Sequence, residues 1–353
     1  MGGRGGSPRD GRRQGPQPSR QRGAHQVHRI HRACLPARAR PPRRRSFHRP
    51  IDQPRDPAAG RRVDGRGKGS RCRGGFGLAF LKLVFAGTAG FAVPSLRLLH
   101  AAGHDIRLVV TQPDKPGHRM KVTPSPVKAA AAELGLEVYQ PARIREPEVG
   151  EKLRASSPDL LVVVAYGQII PASVLAIPRR GAVNVHASLL PRHRGAAPVA
   201  RAILAGDAVT GVTIMRMDEQ LDHGPILATS EVAIAPGEEA PHLTERLAAA
   251  GADLLVETLG RLDEIEPVDQ DHAAATVAPR LRREDGELDW SLGAQEIDRR
   301  VRALQPWPGA TLPTARGRVK VLSGRVEGDR YVLELVQLPG KRPAPARQVL
   351  GDA

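Results

Sequence analysis

From Leu81 onward, short apolar runs alternate with segments whose apolar residues recur at helical spacing. The run LKLVFAG, closed by a glycine, reads as a buried strand, and PSLRLLHAAG after it as a helix. The pattern repeats with DIRLVVTQ as strand, SPVKAAAAELG as helix ending at Gly135, LEVYQP as strand, EVGEKLRASS as helix and DLLVVVAYG as a very apolar strand. Alternation of this kind predicts an α/β domain with a doubly wound parallel sheet, whose chemistry collects at the carboxyl ends of its strands. The strand GAVNVHAS breaks the apolar run: Val183 and Val185 point to one side and Asn184 and His186 to the other. A helix PVARAILAG, a strand TGVTIMRMD, the segment EQLDHGPIL and a helix from about Leu243 to Leu262 complete this part.

The acidic stretch DEIEPVDQD has linker composition. Beyond it come ELDW, a short helix around AQEIDRRVRAL, the turn PWPG and the strands RVKVLSGRVEG and RYVLELVQL, the signature of a small, mostly β module. The expected organisation is therefore an extension over 1–77, a catalytic α/β domain over 78–262, a linker over 263–284 and the small domain over 285–353. No run approaches the ~18 apolar residues of a membrane span, so no membrane partner is expected.

Charge changes the picture only at the amino end. The chain of 353 residues carries a formal net charge of +17, and residues 1–77 hold all of that excess. This segment is dominated by Arg, Gly and Pro, has no apolar periodicity, and is expected to be disordered. It lacks the apolar stretch of a signal peptide. Two readings stay open: an RNA-binding arm, or residues placed upstream of the true start. The second is favoured because the pattern changes abruptly near Leu78; the next methionine, Met120, already lies inside the domain, so such a start would use a non-AUG codon near Leu78 or Leu81. From residue 280 the chain is net +4, against −4 for 78–279, a modest pointer to a polyanion at the small module. Arg299, Arg300 and Arg302 on its short helix, with Arg316, Arg318 and Lys320, are the candidate phosphate contacts. Both cysteines, Cys34 and Cys72, lie in the extension, which fits a cytoplasmic protein. Cys34, His28 and His31 lack paired ligand spacing, so no metal is expected.

Asn184, His186 and Asp222 are the most informative constellation. An amide donor, an imidazole and a carboxylate suit acyl transfer to an amine: the amide stabilises an oxyanion, the imidazole moves protons, and the carboxylate orients the imidazole. On spacing alone, turn-making residues at a strand end remain an alternative. Ser188 follows closely, but no G-x-S-x-G elbow accompanies it, which argues against a serine hydrolase. Gly87 and Gly90 in AGTAGF satisfy neither a dinucleotide fingerprint nor a Walker loop and read as tight-turn glycines.

NVHASLLPRHRGAAP, with FAGTAGFAVPSL before it and TGVTIMRMDEQLDHGPI after it, resembles the methionyl-tRNA formyltransferase family. The likeness runs on through TQPDKPGHRM, TPSPVKAAA, VVVAYGQIIP, VAPRLRREDGELDW and VRALQPWPGA, over roughly Leu81 to Gly340. The resemblance implies formyl transfer from 10-formyltetrahydrofolate to the amino group of methionine on initiator tRNA, with tetrahydrofolate as the other product. By motif match, Asn184, His186 and Asp222 take the catalytic places, Ser188, Leu189, Leu190 and Pro191 the folate-contacting stretch, and Arg119 the place of the arginine that meets the tRNA acceptor end. A monomer is expected.

Several positions depart from the family pattern. Ala89 and Gly90 replace a proline and an acid in the first loop, which bears on its rigidity. His223 stands where a small hydroxyl residue is common and is a competitor for the hydrogen bonds of Asp222. The loop after TQPD is about one residue short, and the C-terminal module is abbreviated relative to an OB-like barrel. The alternatives are a sibling folate-dependent formyltransferase acting on a nucleotide or sugar-nucleotide amine, and an RNA-binding protein working through its basic extension.

Overall fold

The computed structural model describes residues 80–116 and 122–351. The expectations for residues 1–77, for Cys34, His28 and His31, and for Arg119 lie outside the described residues.

Among the described residues, nine strands and six α-helices build the first domain. The strands are β1 (Lys82–Gly87), β2 (Asp105–Val110), β3 (Lys115–Pro116), β4 (Val122–Thr123), β5 (Val138–Tyr139), β6 (Leu160–Val164), β7 (Ala182–His186), β8 (Val209–Arg216) and β9 (Ile226–Ala233). The helices are α1 (Val93–Ala101), α2 (Pro126–Glu133), α3 (Pro147–Ala155), α4 (Ala172–Leu175), α5 (Pro198–Ala205) and α6 (Ala240–Gly260). Proline in the first turn opens α1, α2, α3, α5 and α6, where its missing N–H costs nothing. Ser125 caps α2 through its hydroxyl on the Lys128 N–H at 3.1 Å, and Gly206 ends α5 in the left-handed conformation.

Seven strands form one sheet in the order β5-β2-β1-β6-β7-β8-β9. β5 through β7 pair in parallel, as the alternation of strands and helices predicts, and the β8–β9 hairpin adds two antiparallel strands at the edge. β9 escapes the sequence pattern because Thr229, Ser230 and Glu231 interrupt its apolar residues, as an edge strand with a half-exposed face allows. The chain leaves β1 toward β2 and β5 and returns on the other side as β6, so the sheet has its switch point between β1 and β6.

Alternation along each strand sorts the core into two faces. Leu83 and Phe85 of β1, Leu160 and Val162 of β6, and Val183 and Val185 of β7 pack with Leu96, Leu99, Leu247 and Leu255 of α1 and α6. Val84 and Ala86, Leu161 and Val163 pack on the other side with Val149, Leu153 and Val174 of α3 and α4. On β7 this second face continues from Ala182 into Asn184 and His186, where apolar residues give way to polar ones. Behind them α6 comes very close: a Cβ on Gly251 would lie 2.9 Å from Val185 Cγ1 and 3.1 Å from Val212 Cγ1. The strand that carries the two polar residues is thus backed by packed aliphatic groups and has little room to move.

The C-terminal part comprises α7 (Ala294–Ala303), β10 (Ala310–Thr314), β11 (Gly317–Glu327), β12 (Arg330–Gln337), β13 (Ala344–Pro345) and α8 (Ala346–Leu350). The abbreviated module is a four-stranded antiparallel sheet in the order β10-β11-β12-β13. β10 is hidden in the sequence by Pro313, which an edge strand tolerates. Ile297 and Val301 of α7 pack on Leu312 and Val321. Arg299, Arg300 and Arg302, expected as phosphate contacts, are each engaged in an ion pair within α7. Glu296 pairs with Arg299 at 2.9 Å and Arg300 at 2.7 Å, and Asp298 pairs with Arg302 at 2.8 Å. Arg302 also donates to the Glu238 carbonyl oxygen, binding α7 to the first domain.

Candidate active site

The loops after β1, β2 and β6 meet at the switch point. Thr88 Oγ1 and Gln112 Nε2 both donate to the Tyr166 carbonyl oxygen, at 2.9 and 2.7 Å. Gly87 is needed there, since a Cβ would lie 2.9 Å from Ala92 Cβ and 3.0 Å from the Val164 oxygen, whereas Gly90 meets nothing within 4 Å. Despite Ala89 and Gly90, the first loop is tied down: Ala89 N–H donates to Ala165 O at 3.4 Å, and Ala92 N–H to Ala89 O at 3.0 Å.

Beside this crevice, Asn184, His186 and Asp222 come together. Asn184 and His186 project from the same face of β7 and are buried, at 9% and 5% exposure. Asp222 lies in the loop between β8 and β9. Because β8 runs antiparallel to β7, with Arg216 opposite Val183, that loop starts at the amino end of β7 and folds back to reach these side chains. Asp222 Oδ1 accepts from Asn184 Nδ2 at 3.3 Å, Oδ2 accepts from the Gly195 N–H at 2.8 Å, and Oδ2 stands 3.5 Å from His186 Nδ1.

The other ring nitrogen shows which atom of the imidazole is left open. His186 Nε2 lies 2.9 Å from the His193 carbonyl oxygen, and a carbonyl only accepts, so Nε2 carries a hydrogen. Nδ1, facing Asp222, is the nitrogen left to take or give a proton. In this geometry the ring is oriented from behind by the His193 carbonyl, and the carboxylate stands on the working side of the imidazole. His193 holds that carbonyl through a left-handed backbone, φ 59°, fixed by its own ring on Asp207 at 2.7 Å and its N–H on Thr276 Oγ1 at 2.8 Å.

The Ser188–Pro191 segment follows directly. Ser188 is fully buried and its hydroxyl donates to the Arg192 carbonyl at 2.6 Å, so it closes the turn from inside. Thr213 of β8 clamps the same turn, donating to the Ser188 carbonyl at 2.7 Å and accepting from the Leu190 N–H at 3.1 Å. Leu189 lies over Gly211, where a Cβ would come within 2.6 Å of Leu189 Cδ2. Leu189 and Pro191 are the half-exposed members of the stretch.

His223 does not compete for Asp222. Its Nδ1 is 2.7 Å from Asp218 Oδ2, and its ring stacks on His272 at 4.0 Å with planes 4° apart. Sequence reasoning missed Arg194, Thr213 and Gln270, each of which touches the site's loops. Gln270 sits in the acidic stretch that reads as a linker, and nothing local marks it.

The family model described as formyl transferase matches residues 81–259, and that described as formyl transferase, C-terminal domain, matches residues 280–342. A methionyl-tRNA formyltransferase of Chromobacterium violaceum is 53% identical over 232 residues, covering 65% of this chain and 76% of the relative. That of Koribacter versatilis is 47% identical over 294 residues, covering 76% of this chain and 94% of the relative. Among solved structures, a sugar N-formyltransferase from a Shewanella species superposes with a TM-score of 0.54 at 18% identity, over 70% of this chain and 99% of that one. HypX from Aquifex aeolicus, in complex with tetrahydrofolic acid, gives 0.53 at 15% identity, over 77% of this chain and 47% of that one. At these identities the structural likeness carries the fold.

Proposed function

The chain belongs to the formyl transferase family, and from that premise we infer that it transfers a formyl group to the amino group of methionyl-tRNA in translation initiation. The observation that carries the chemistry is the meeting of Asn184, His186 and Asp222 around one point. An amine attacking a carbonyl carbon must lose a proton, and negative charge develops on the carbonyl oxygen. Asn184 has two amide hydrogens, of which one is directed at Asp222, leaving the second for that oxygen. His186 receives the amine's proton at Nδ1 while Nε2 stays bound to the His193 carbonyl. Asp222, held by Gly195 and Asn184, places its carboxyl group beside Nδ1, where it stabilises the ring as it takes up the proton.

The formyl donor is 10-formyltetrahydrofolate: as the new C–N bond to the amine forms, the bond from the formyl carbon to the donor nitrogen breaks, and His186 returns the proton to that nitrogen so that tetrahydrofolate leaves. The Ser188, Leu189, Leu190 and Pro191 turn meets its folate portion through Leu189 and Pro191, with Ser188 and Leu190 holding the turn from inside. The donor set fits this role: half-exposed Leu189 and Pro191 offer apolar contact while Thr213 holds the turn rigid beneath them. Arg119 guides the aminoacyl end of the tRNA. Such a reaction belongs in the cytoplasm, where aminoacyl-tRNA is used, and among the described residues no helix is long and apolar enough to cross a membrane.

The test is direct. Purified protein is mixed with 10-formyltetrahydrofolate and either methionyl initiator tRNA or amino-sugar nucleotides, and formylated product is followed. Formyl-methionyl-tRNA as the main product supports this reading. Formylation confined to the sugar nucleotide would overturn it in favour of a sibling transferase.

A further inference from the structure

Asp222 owes its place to residues outside its own hairpin. Its backbone is left-handed, φ 47°, which an aspartate adopts only where its surroundings hold it. At the neck of the loop a Cβ on Gly224 would fall 2.1 Å from the Arg216 oxygen, so this turn is tight. The group that closes it comes from far along the chain: Gln270 Nε2 donates to the Asp222 carbonyl at 3.0 Å and to the Gly224 carbonyl at 2.7 Å. Arg194 holds the other end of the amide, its Nε and terminal nitrogen donating to Gln270 Oε1 at 3.1 and 2.7 Å. With two carbonyls at one end and a guanidinium at the other, the amide can face only one way, and all its hydrogen-bonding positions are used. Gln270 is 5% exposed.

The segment bearing Gln270 is itself laced to the site. Val268 exchanges both backbone hydrogen bonds with Ile226, at 2.7 and 2.9 Å. Downstream, Arg194 N–H donates to Thr276 O at 2.8 Å and Ala278 N–H to Arg194 O at 2.6 Å. Residues 268–278 thus form a strap that passes over the Asp222 loop and the Gly195 loop before the chain enters the C-terminal part. Both ends of the Asp222 carboxylate's environment depend on it: its own turn through Gln270, and its Gly195 donor through the neighbouring Arg194.

We propose that Gln270, fixed by Arg194, is a positioning residue that holds the Asp222 carboxylate against His186. The proposal rests on the reading of Asp222 as catalytic. Gln270→Glu is the informative variant. It keeps the size of the side chain and the contact with Arg194, but turns the donor toward Asp222 and Gly224 into an oxygen facing two carbonyl oxygens. A displaced carboxylate lowers turnover without touching substrate binding, and misplacement of about 1 Å is enough for a loss of roughly 10²-fold.

The expected result for Gln270→Glu, and for Gln270→Leu where it folds, is a kcat lower by roughly 10- to 100-fold, with KM for both substrates within about twofold and a lowered melting temperature that still leaves the Glu variant folded at the assay temperature. The decisive measurement repeats the Gln270→Glu change in an Asp222→Asn background. A residue acting through Asp222 has little left to lose there, so the further loss should be under about twofold. A full additional loss in that background would overturn the proposal and leave Gln270 with a general structural role, as would unchanged kcat in the folded Glu variant. If Asp222→Asn alone turned over normally, the assignment of Asp222 itself would fall, an outcome distinct from the other two.

Discussion

The two halves of the candidate site are built in opposite ways. Asn184 and His186 come from alternate positions of one buried strand, and α6 packs behind it through Gly251. Asp222 comes from an irregular turn with a left-handed backbone, held by Gly195 and by a glutamine whose strap lies outside the hairpin. A strand sets side-chain direction through its period of two, so its chemistry is local. A turn's conformation depends on what closes it, so its chemistry is distributed. The strand half should therefore depend mainly on its own residues, with one outside support in the His193 carbonyl behind His186, while the turn half should fail readily when distant partners change.

The largest effects fall on the three central side chains. Asn184→Ala should lower turnover by roughly 10²- to 10³-fold with little change in folate affinity, as for an oxyanion donor. His186→Ala and Asp222→Ala should each cost at least roughly 10²-fold. Steady-state kinetics with charged tRNA check all three. If Asn184→Ala weakened only folate affinity, that residue would be a binding group and the strand half would be left with His186 alone for the chemistry.

The same contrast decides what the sequence makes legible. Val183 and Val185 alternating with Asn184 and His186 reveal both the strand and its polar face, because the period of two is written in neighbouring residues. The parallel sheet is equally readable from the alternation of apolar runs with helical segments. Asp222 is readable as the carboxylate that would accompany Asn184 and His186, but the way it is held is not. Gln270 lies among acidic residues with linker composition, and the contacts that make it important join residues 46 and 48 apart in sequence. The orienting role of the His193 carbonyl is invisible for another reason, since a backbone oxygen leaves no mark on residue type.

Thr213 joins the halves, because it sits on β8 and clamps the turn that follows β7. Thr213→Val keeps the shape but strands a buried N–H on Leu190 and a carbonyl on Ser188. The expected cost is about 1–3 kcal/mol in denaturant unfolding. A loss well under that, with unchanged folate binding, would show that the turn is held by its own closure through Ser188.

His104 offers a control away from the site. It is buried at the start of the sheet, accepts from the Leu81 N–H at 3.4 Å, and desolvation lowers its pKa from the ordinary 6.5. The unfolded chain then binds the proton more readily, so this group's contribution to stability is present above about pH 6.5 and is lost as pH falls toward the lower folded value. His104→Leu should flatten the dependence of unfolding midpoint on pH below that point while leaving the activity profile unchanged. A shifted activity profile would mean that the amino ends of β1 and β2 are coupled to the strand half.

The smallest expected effect concerns the C-terminal module and the tRNA. Its arginines divide by what they touch. Arg299, Arg300 and Arg302 are bound to Glu296 and Asp298, so their charge is largely spent within α7. Arg316 sits exposed at the β10–β11 turn, and among the described residues its side chain has no ion pair. A phosphate contact at such a site releases a counterion, and its loss reduces the slope of log affinity against log salt by about one. Arg316→Ala should thus raise KM for tRNA severalfold at low salt, with a smaller difference at high salt and no change in folate binding. Arg300→Ala should change KM far less, because it removes a partner of Glu296 before it removes anything from the tRNA. Equal effects from the two substitutions would mean that the ion pairs of α7 open when tRNA binds, and that the module, like the Asp222 turn, is completed by a distant partner.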